Sequence, residues 1–427
     1  MRINKKSIGL LVLFFTKQGL GLGAETLEQA FAEAVNKNQR ISAAQANSQA
    51  AEQQIFAAQG QRMPQLNVSG GYTQLSETPS AQTNVEGRPA QFPVSTAGSA
   101  NAQAIISLPV FTSGRISHSI EAAEAAALAS QHDETTTILN IKLQVANAFI
   151  AIFRAEKALQ VAQSHVVSLK AHAKDVRNLY DQGMVARNDW LAADVELSNA
   201  EQQVLQQENS VQMAKANFNQ LLNRDLTANV ELIEQFPEIP QGDYAALSQQ
   251  ALLKRAELSG LAEQVHALEQ QAASVKAGLW PQVNVSGGYQ YTQNQYQTYE
   301  GIWMANATVQ WQIYDGSTAH RSDALIRQAL AVNSQRNDLI SAIQLQVRQA
   351  WLAIQETQKR VIVTQQATGQ ADENLKVSTE RYQQGLAGHT EVLDAESLRI
   401  RTYDNFNNAR YDAVMANLNL RRALGIL

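Results

Sequence analysis

Two residue groups in this 427-residue chain have the type and spacing to bear on chemistry or ion binding. His165 and His172 stand seven positions apart, which puts both imidazoles on one helix face, as a metal site would need. The chain has no Cys, and no His-Glu-x-x-His run accompanies the pair, so the pattern predicts solvated histidines and no metal. Glu391 and Asp394 follow Gly388 closely, where carboxylates complement the positive end of a helix. Gly70-Gly71 and Gly287-Gly288 lie inside strand-like segments rather than in a strand-to-helix turn. They read as bends or close packing points, not as a phosphate cradle. No constellation of nucleophile, base and orienting group is present, so neither an enzyme nor a cofactor is expected.

These residues sit on long helices. All eight prolines lie at 64, 79, 89, 93, 109, 237, 240 and 281, leaving 110–236 and 282–427 free of the residue that most disrupts a helix interior. From Arg115 to Gln182 there is neither Gly nor Pro, and at about 1.5 Å per residue that stretch could extend roughly 100 Å. Along it Ile138, Ile141, Val145, Ala148, Ile152, Ala155, Leu159, Ala162, Val166, Leu169, Ala173, Val176 and Tyr180 step by three and four, as in a coiled-coil seam. After Gly183 the register resumes from Trp190 to Leu221, so the glycine marks the turn of an antiparallel helical hairpin. A second, more polar seam runs from Ile340 through Val347, Thr357, Thr364, Ala371 and Ser378 to Tyr382, and Gly385 marks its turn.

The chain also repeats itself. Pro64-Gln65-Leu66-Asn67-Val68-Ser69-Gly70-Gly71-Tyr72 recurs as Pro281-Gln282-Val283-Asn284-Val285-Ser286-Gly287-Gly288-Tyr289, an offset of 217. Each copy alternates with period two, and a second alternating segment follows it. Ala102, Ala104, Ile106, Leu108 and Val110 form one; Trp303, Ala305, Ala307, Val309, Trp311 and Ile313 form the other. Segments of about ten residues, apolar on one face and uncharged polar on the other, resemble barrel strands of an outer membrane. Tyr289, Tyr291, Trp303 and Trp311 are expected in an interfacial girdle. Residues 76–97 and about 293–301 read as loops between paired strands.

At the N-terminus, Arg2, Lys5 and Lys6 precede the apolar run Ile8–Phe15 and a Gly/Ala-rich exit at 19–24, the pattern of a secretory signal peptide. Its removal takes away four cations and no anion, moving the formal charge from −5 to −9. An acidic exported chain without a basic block argues against nucleic acid as a partner. After the signal no run of about twenty apolar residues is evident, so a membrane would be crossed by strands. Four strands cannot close a barrel when the smallest bacterial ones need about eight, so the chain must oligomerise.

The order of signal, helix, strand pair and long helical hairpin, repeated once, joins several specific motifs. Pro-Gln precedes each first strand, Leu108-Pro109-Val110-Phe111 and Gly114-Arg115 follow the second, and Tyr-x-x-Gly stands at each tip. Together these resemble the TolC family of outer-membrane efflux proteins over essentially the whole mature chain. The resemblance implies a mainly α protein with a membrane β-barrel: a homotrimer in which twelve strands close a barrel above an α-helical barrel, with each half of the chain supplying two strands. The corresponding segments are the signal 1–24, helix 25–63, strand pair with external loop 64–112, hairpin 113–222 with its tip near 180–190, and linker 223–242. Helix 243–280, strand pair 281–316 and hairpin 317–427 with its tip near 382–394 complete the second half.

The resemblance further implies an outer-membrane exit duct with helices in the periplasm, passively conducting small molecules for a tripartite pump. Its partners would be a periplasmic adaptor, an inner-membrane transporter and outer-membrane lipid. A duct for type I protein secretion is the alternative within the class, and an exported coiled-coil structural protein or adhesin is the alternative outside it. On the family pattern Glu391 and Asp394 take the constricting ring positions, Tyr382 is the gate tyrosine and Asp189 its carboxylate partner. Gly183, Met184, Val185, Ala186, Gly385, Leu386 and Ala387 are the adaptor-contacting tips. Ala387 stands where the family has a gate arginine, which leaves Arg187 or His389 as a substitute.

Overall fold

The computed structural model describes residues 24–427, so the predicted signal peptide lies outside the described residues. Along the chain run α1 (Leu27–Lys37), α2 (Gln39–Gly60), β1 (Gln65–Gln74), β2 (Ser80–Val85), β3 (Arg88–Pro93), β4 (Gly98–Phe111), α3 (Arg115–Asp181) and α4 (Arg187–Leu221). Then follow α5 (Tyr244–Lys254), α6 (Ala256–Ala277), β5 (Gln282–Thr292), β6 (Gly301–Gln310), α7 (Thr318–Gln383) and α8 (His389–Ala423). The chain divides into two units: one takes in residues up to Lys37, Gln144–Ile239 and Lys359–Met415, the other Asn38–Leu143, Pro240–Gln358 and Ala416–Leu427.

The first unit is helical. Its core follows the heptad positions, with Val145, Ala148, Ile152, Ala162, Leu169, Ala173 and Val176 of α3 buried, as are Ala193, Ala200, Val211 and Phe218 of α4. The polar members of the α7 seam are accommodated because their hydroxyls return to the helix backbone. Thr364 Oγ1 donates to the Arg360 carbonyl at 2.8 Å. Charged pairs fix helix to helix: Asp412 of α8 accepts from Arg154 of α3 at 2.6 Å and from Arg360 of α7 at 2.8 Å. Asp372 of α7 accepts from both Arg399 and Tyr403 of α8 at 2.7 Å. Beside the Arg154–Asp412 pair, Phe149, Phe153, Phe218 and Phe236 meet edge to face, and Tyr411 stacks on Phe153 at 6.1 Å. One 18-residue stretch of α3 reaches a mean hydropathy of 1.4, so a helix apolar enough to cross a membrane by composition does exist, contrary to the sequence expectation. Half of that stretch is buried within the protein, which is what a core helix requires.

Arg224, just past α4, anchors the start of the described chain. Its guanidinium donates to Glu25 at 3.0 Å twice and to Glu33 at 2.7 Å, with a second, very short bond to Glu33. The bond from Arg224 is the main cause holding the Glu33 carboxyl below its ordinary value. A lowered carboxylate pKa stabilises above the unfolded value and loses that contribution as pH falls through the folded one. Arg224→Ala would strand two carboxylates whose side chains are 14% and 23% exposed. It is expected to cost α1 about 2–3 kcal/mol, read as a roughly 30- to 150-fold loss of hydrogen-exchange protection, and to remove the acid sensitivity of that protection.

In the second unit β1, β4, β5 and β6 form an antiparallel sheet in the order β1-β4-β5-β6. Directly paired residues share a face, and the register lines the apolar ones up across all four strands. Val68 pairs with Ala104, Ala104 with Tyr289, and Tyr289 with Trp303; Leu66–Ile106, Leu108–Val285 and Val285–Ala307 continue the same face. The other face is uncharged and polar, through Ser69–Gln103, Gln103–Gln290, Ser107–Ser286 and Ser286–Asn306. No core covers the apolar face: Val68 is 73%, Trp303 82% and Val309 67% exposed. Pro109, which lacks a donor, sits where the β4–β5 register shifts before Phe111.

Two local features depart from the expectation. The segment 76–97 contains a hairpin, β2 with β3, despite Pro89 and Pro93. Its two-residue turn places Glu86 at φ 52° and Gly87 at φ 80°, the left-handed pair that lets a tight hairpin close. β6 ends at Gln310, so Trp311 and Ile313 lie beyond the strand. The two interstrand loops are tied together by Asn294, whose side-chain amide donates to the Val94 carbonyl at 3.0 Å. Elsewhere in this unit Glu257 accepts from Arg255 and from Arg422. Burial works to raise the Glu257 carboxyl, but the two guanidiniums outweigh it and hold the group at about 2.

Candidate functional site

The tips of the two hairpins are built alike. α3 ends at Gly183, with φ 72°; Gly183 N–H donates to the Tyr180 carbonyl at 2.8 Å and Met184 N–H to Leu179 at 2.9 Å. α7 ends at Gly385, also at φ 72°, with Gly385 N–H on Tyr382 at 2.9 Å and Leu386 N–H on Arg381 at 2.8 Å. This left-handed cap satisfies the last carbonyls of each helix, and Tyr-x-x-Gly is its sequence form. Each cap leaves one apolar side chain in the open: Met184 is 68% and Leu386 66% exposed. Val185 and Ala387 turn the other way, into the tip core. Ala186 and Gly183 are exposed.

That core draws on four helices, with Ala173 and Val176 from α3, Ala193 from α4, Tyr382 from α7 and Val392 from α8. Tyr382 is therefore a buried packing residue, 6% exposed, and its hydroxyl has no hydrogen-bond partner. Burial is the first cause raising its pKa, followed by the charges of Asp189 and Asp175. Asp189 thus lies near Tyr382, but its carboxylate accepts from the Asn188 side chain at 3.2 Å, one residue away in the first turn of α4. Glu391 and Asp394 occupy the first two turns of α8. Glu391 accepts from Arg381 of α7 at 2.6 Å, whereas Asp394 faces solvent.

Arg381 was not foreseen as a site residue. Its pairing with Glu391 spans a turn whose geometry the heptad pattern does not describe. Neither was the layer beside it, where Tyr180 stacks on Trp190 at 5.5 Å and Arg177 lies over the Trp190 ring at 4.6 Å. The expectation for His172 was wrong. It is buried, 8% exposed, because four helices converge at the tip and cover a second face of α3 beside that of Ala173. His172 Nε2 meets His389 Nδ1 at 2.8 Å, and the Tyr382 ring packs edge-on against His172 at 5.2 Å. Of the two substitutes for the missing arginine, His389 is the one brought into the tip core. Arg187 is exposed at the start of α4.

The arrangement has no group poised for bond making. It offers a packed junction between two hairpins, an Arg–Glu pair across one turn, an open carboxylate, and exposed apolar residues at the extremities.

The family model for outer membrane efflux proteins matches residues 31–224 and 247–426. The outer membrane protein TolC of Vibrio cholerae serotype O1 is 21% identical over 422 residues, covering 95% of this chain and 91% of that one. Among solved structures, the outer membrane protein VceC of Vibrio cholerae aligns with a TM-score of 0.76 at 19% identity, covering 93% of this chain and 96% of that one. The CmeC outer membrane channel of Campylobacter jejuni gives 0.78 at 14% identity, with 93% and 85% covered. With the family matched over most of its length, the chain belongs to the outer membrane efflux protein family and is an outer-membrane channel of that family.

Proposed function

We propose that three copies of this chain close a twelve-stranded barrel and form the exit duct of a tripartite efflux pump. In this reading the duct passively conducts small molecules that an inner-membrane transporter and a periplasmic adaptor deliver. The observation that carries the reading is the sheet: an unbroken apolar face without a core, a polar face opposite, and two open edges at β1 and β6. An isolated sheet of that kind is untenable in lipid, where every backbone group must be paired, and joining β6 of one copy to β1 of the next removes both edges. The repeated strand-pair and hairpin order supports a duplicated unit, with strand pairs in 64–112 and 281–316 and hairpins in 113–222 and 317–427.

The gate is assigned to the tips. Tyr382 packs the hairpins together with Asp189 close by, and Glu391 and Asp394 line the constriction. Met184 and Leu386, at the cap glycines Gly183 and Gly385, offer the adaptor apolar contacts, with Val185, Ala186 and Ala387 beside them. Purification in detergent tests the assembly: a heat-resistant trimer that conducts ions in planar bilayers is expected, and a water-soluble rod without conductance would refute it. Met184→Asp with Leu386→Asp is expected to leave bilayer conductance intact while abolishing efflux in cells, measured as a fall in the minimum inhibitory concentration of exported compounds to that of a deletion strain.

A further inference from the structure

One short polar contact between the two hairpins at the tip is not one the family pattern supplies. His172 of α3 and His389 of α8 have facing nitrogens 2.8 Å apart, ring centroids 5.0 Å apart and planes only 7° from parallel. Face-to-face rings would bring the centroids closer. A separation near the N···N distance plus two ring radii means that the rings meet nitrogen to nitrogen in nearly one plane, which is the geometry of an N–H···N hydrogen bond. Such a bond holds one proton between two nitrogens. When both rings are charged, two N–H groups face each other at that distance and the contact becomes a repulsion.

We propose that the His172–His389 pair is a proton-operated latch that fastens the start of α8 to α3 and releases the tip when both rings are protonated. This rests on the reading of the tips as a gate.

Three features beyond the contact support it. The pair is lodged in the tip core: the Tyr382 ring of α7 abuts His172, and His389 Nε2 is buried without a partner. His389 is also the first residue of α8, where the positive end of the helix dipole disfavours an added proton. Finally, the anionic groups facing the pair are Asp175 from α3 and Asp189 and Glu196 from α4, and their charges favour protonation. Burial outweighs them, so both rings are shifted down, His172 to about 4, with the charge of His389 adding to the effect.

The sign follows. A histidine depressed in the closed state and near its ordinary 6.5 when released stabilises the closed state fully above that value. The contribution fades as pH falls toward about 4. A duct near neutral pH is thus latched, and acidification of its periplasmic face unlatches it.

The test uses full-length channels in planar bilayers, with conductance recorded from pH 7.5 to 4. Wild type is expected to gain conductance on the order of tenfold as pH falls through this window. His389→Gln and His172→Gln, which keep a hydrogen-bonding side chain but cannot titrate there, are expected to respond weakly. If both variants follow the wild-type pH profile, the response belongs to the neighbouring carboxylates and the latch is refuted. A flat wild-type profile refutes it as well. Arg381→Ala separates that failure from failure of the gate itself: if it raises conductance at pH 7.5 the tips still gate, and if it does not, the gate reading falls with the latch.

Discussion

Replacing both Glu391 and Asp394 by their amides is expected to reverse the ion selectivity of the duct rather than merely weaken it. In each protomer Glu391 is neutralised by Arg381 at 2.6 Å, while Asp394 is the exposed and unneutralised charge. The tip thus carries one net negative charge per copy from these three residues, and a threefold ring would concentrate it at the constriction, favouring cations. Asp394→Asn brings the sum to zero. Glu391→Gln does the same by a different route, because it frees the Arg381 guanidinium. The double variant leaves one net positive charge per copy. In a salt gradient across the bilayer, the reversal potential is expected to move toward zero for each single variant and to change sign for the double. Adding Arg381→Gln to the double variant should return it close to zero. An unchanged reversal potential in the double variant would remove Glu391 and Asp394 from the constriction.

The largest effect on assembly is expected from Gly288→Ala. Gly288 pairs with Ile105 at the centre of the β4–β5 ladder, where a Cβ would collide with the Ala104 carbonyl oxygen and reach the Ile105 Cα. Both obstacles are backbone, so relief requires the two central strands to part, and the cost is that of overpacking plus lost ladder bonds, several kcal/mol in all, of order 2–4. The variant is expected to lose the heat-resistant oligomer on gel electrophoresis and to disappear from the outer-membrane fraction. Gly71→Ala is the matching control. Its Cβ would meet only the Asn101 side-chain oxygen, which can rotate away, so normal assembly is expected.

Much of the tip could be read from residue order. Tyr-x-x-Gly announced both caps, because a glycine at the end of a long heptad series is the residue that takes φ near +72° without strain. Stepping by three and four named the buried seam through Val145, Ala173 and Val176. The expectation of a solvated His172 failed, for a physical reason that the seam did not show. A heptad identifies the face that meets one partner helix, whereas at the tip four helices converge and bury a second face as well. The β2–β3 hairpin was missed because Pro89 and Pro93 suggested a structureless loop, while the turn pair Glu86-Gly87 carried the opposite signal.

The sequence by itself determined the local and periodic features of this protein: long uninterrupted helices, their seam, the alternating strands, the turns, and the uneven halves. These depend on neighbours within a few residues or on a regular step along one element. Which side chains meet across elements was decided only by the tertiary structure. Arg381 reaching Glu391, His172 meeting His389 in plane, and Gly288 closing on the Ala104 carbonyl all depend on register between segments far apart in the chain, and no local pattern encodes that distance.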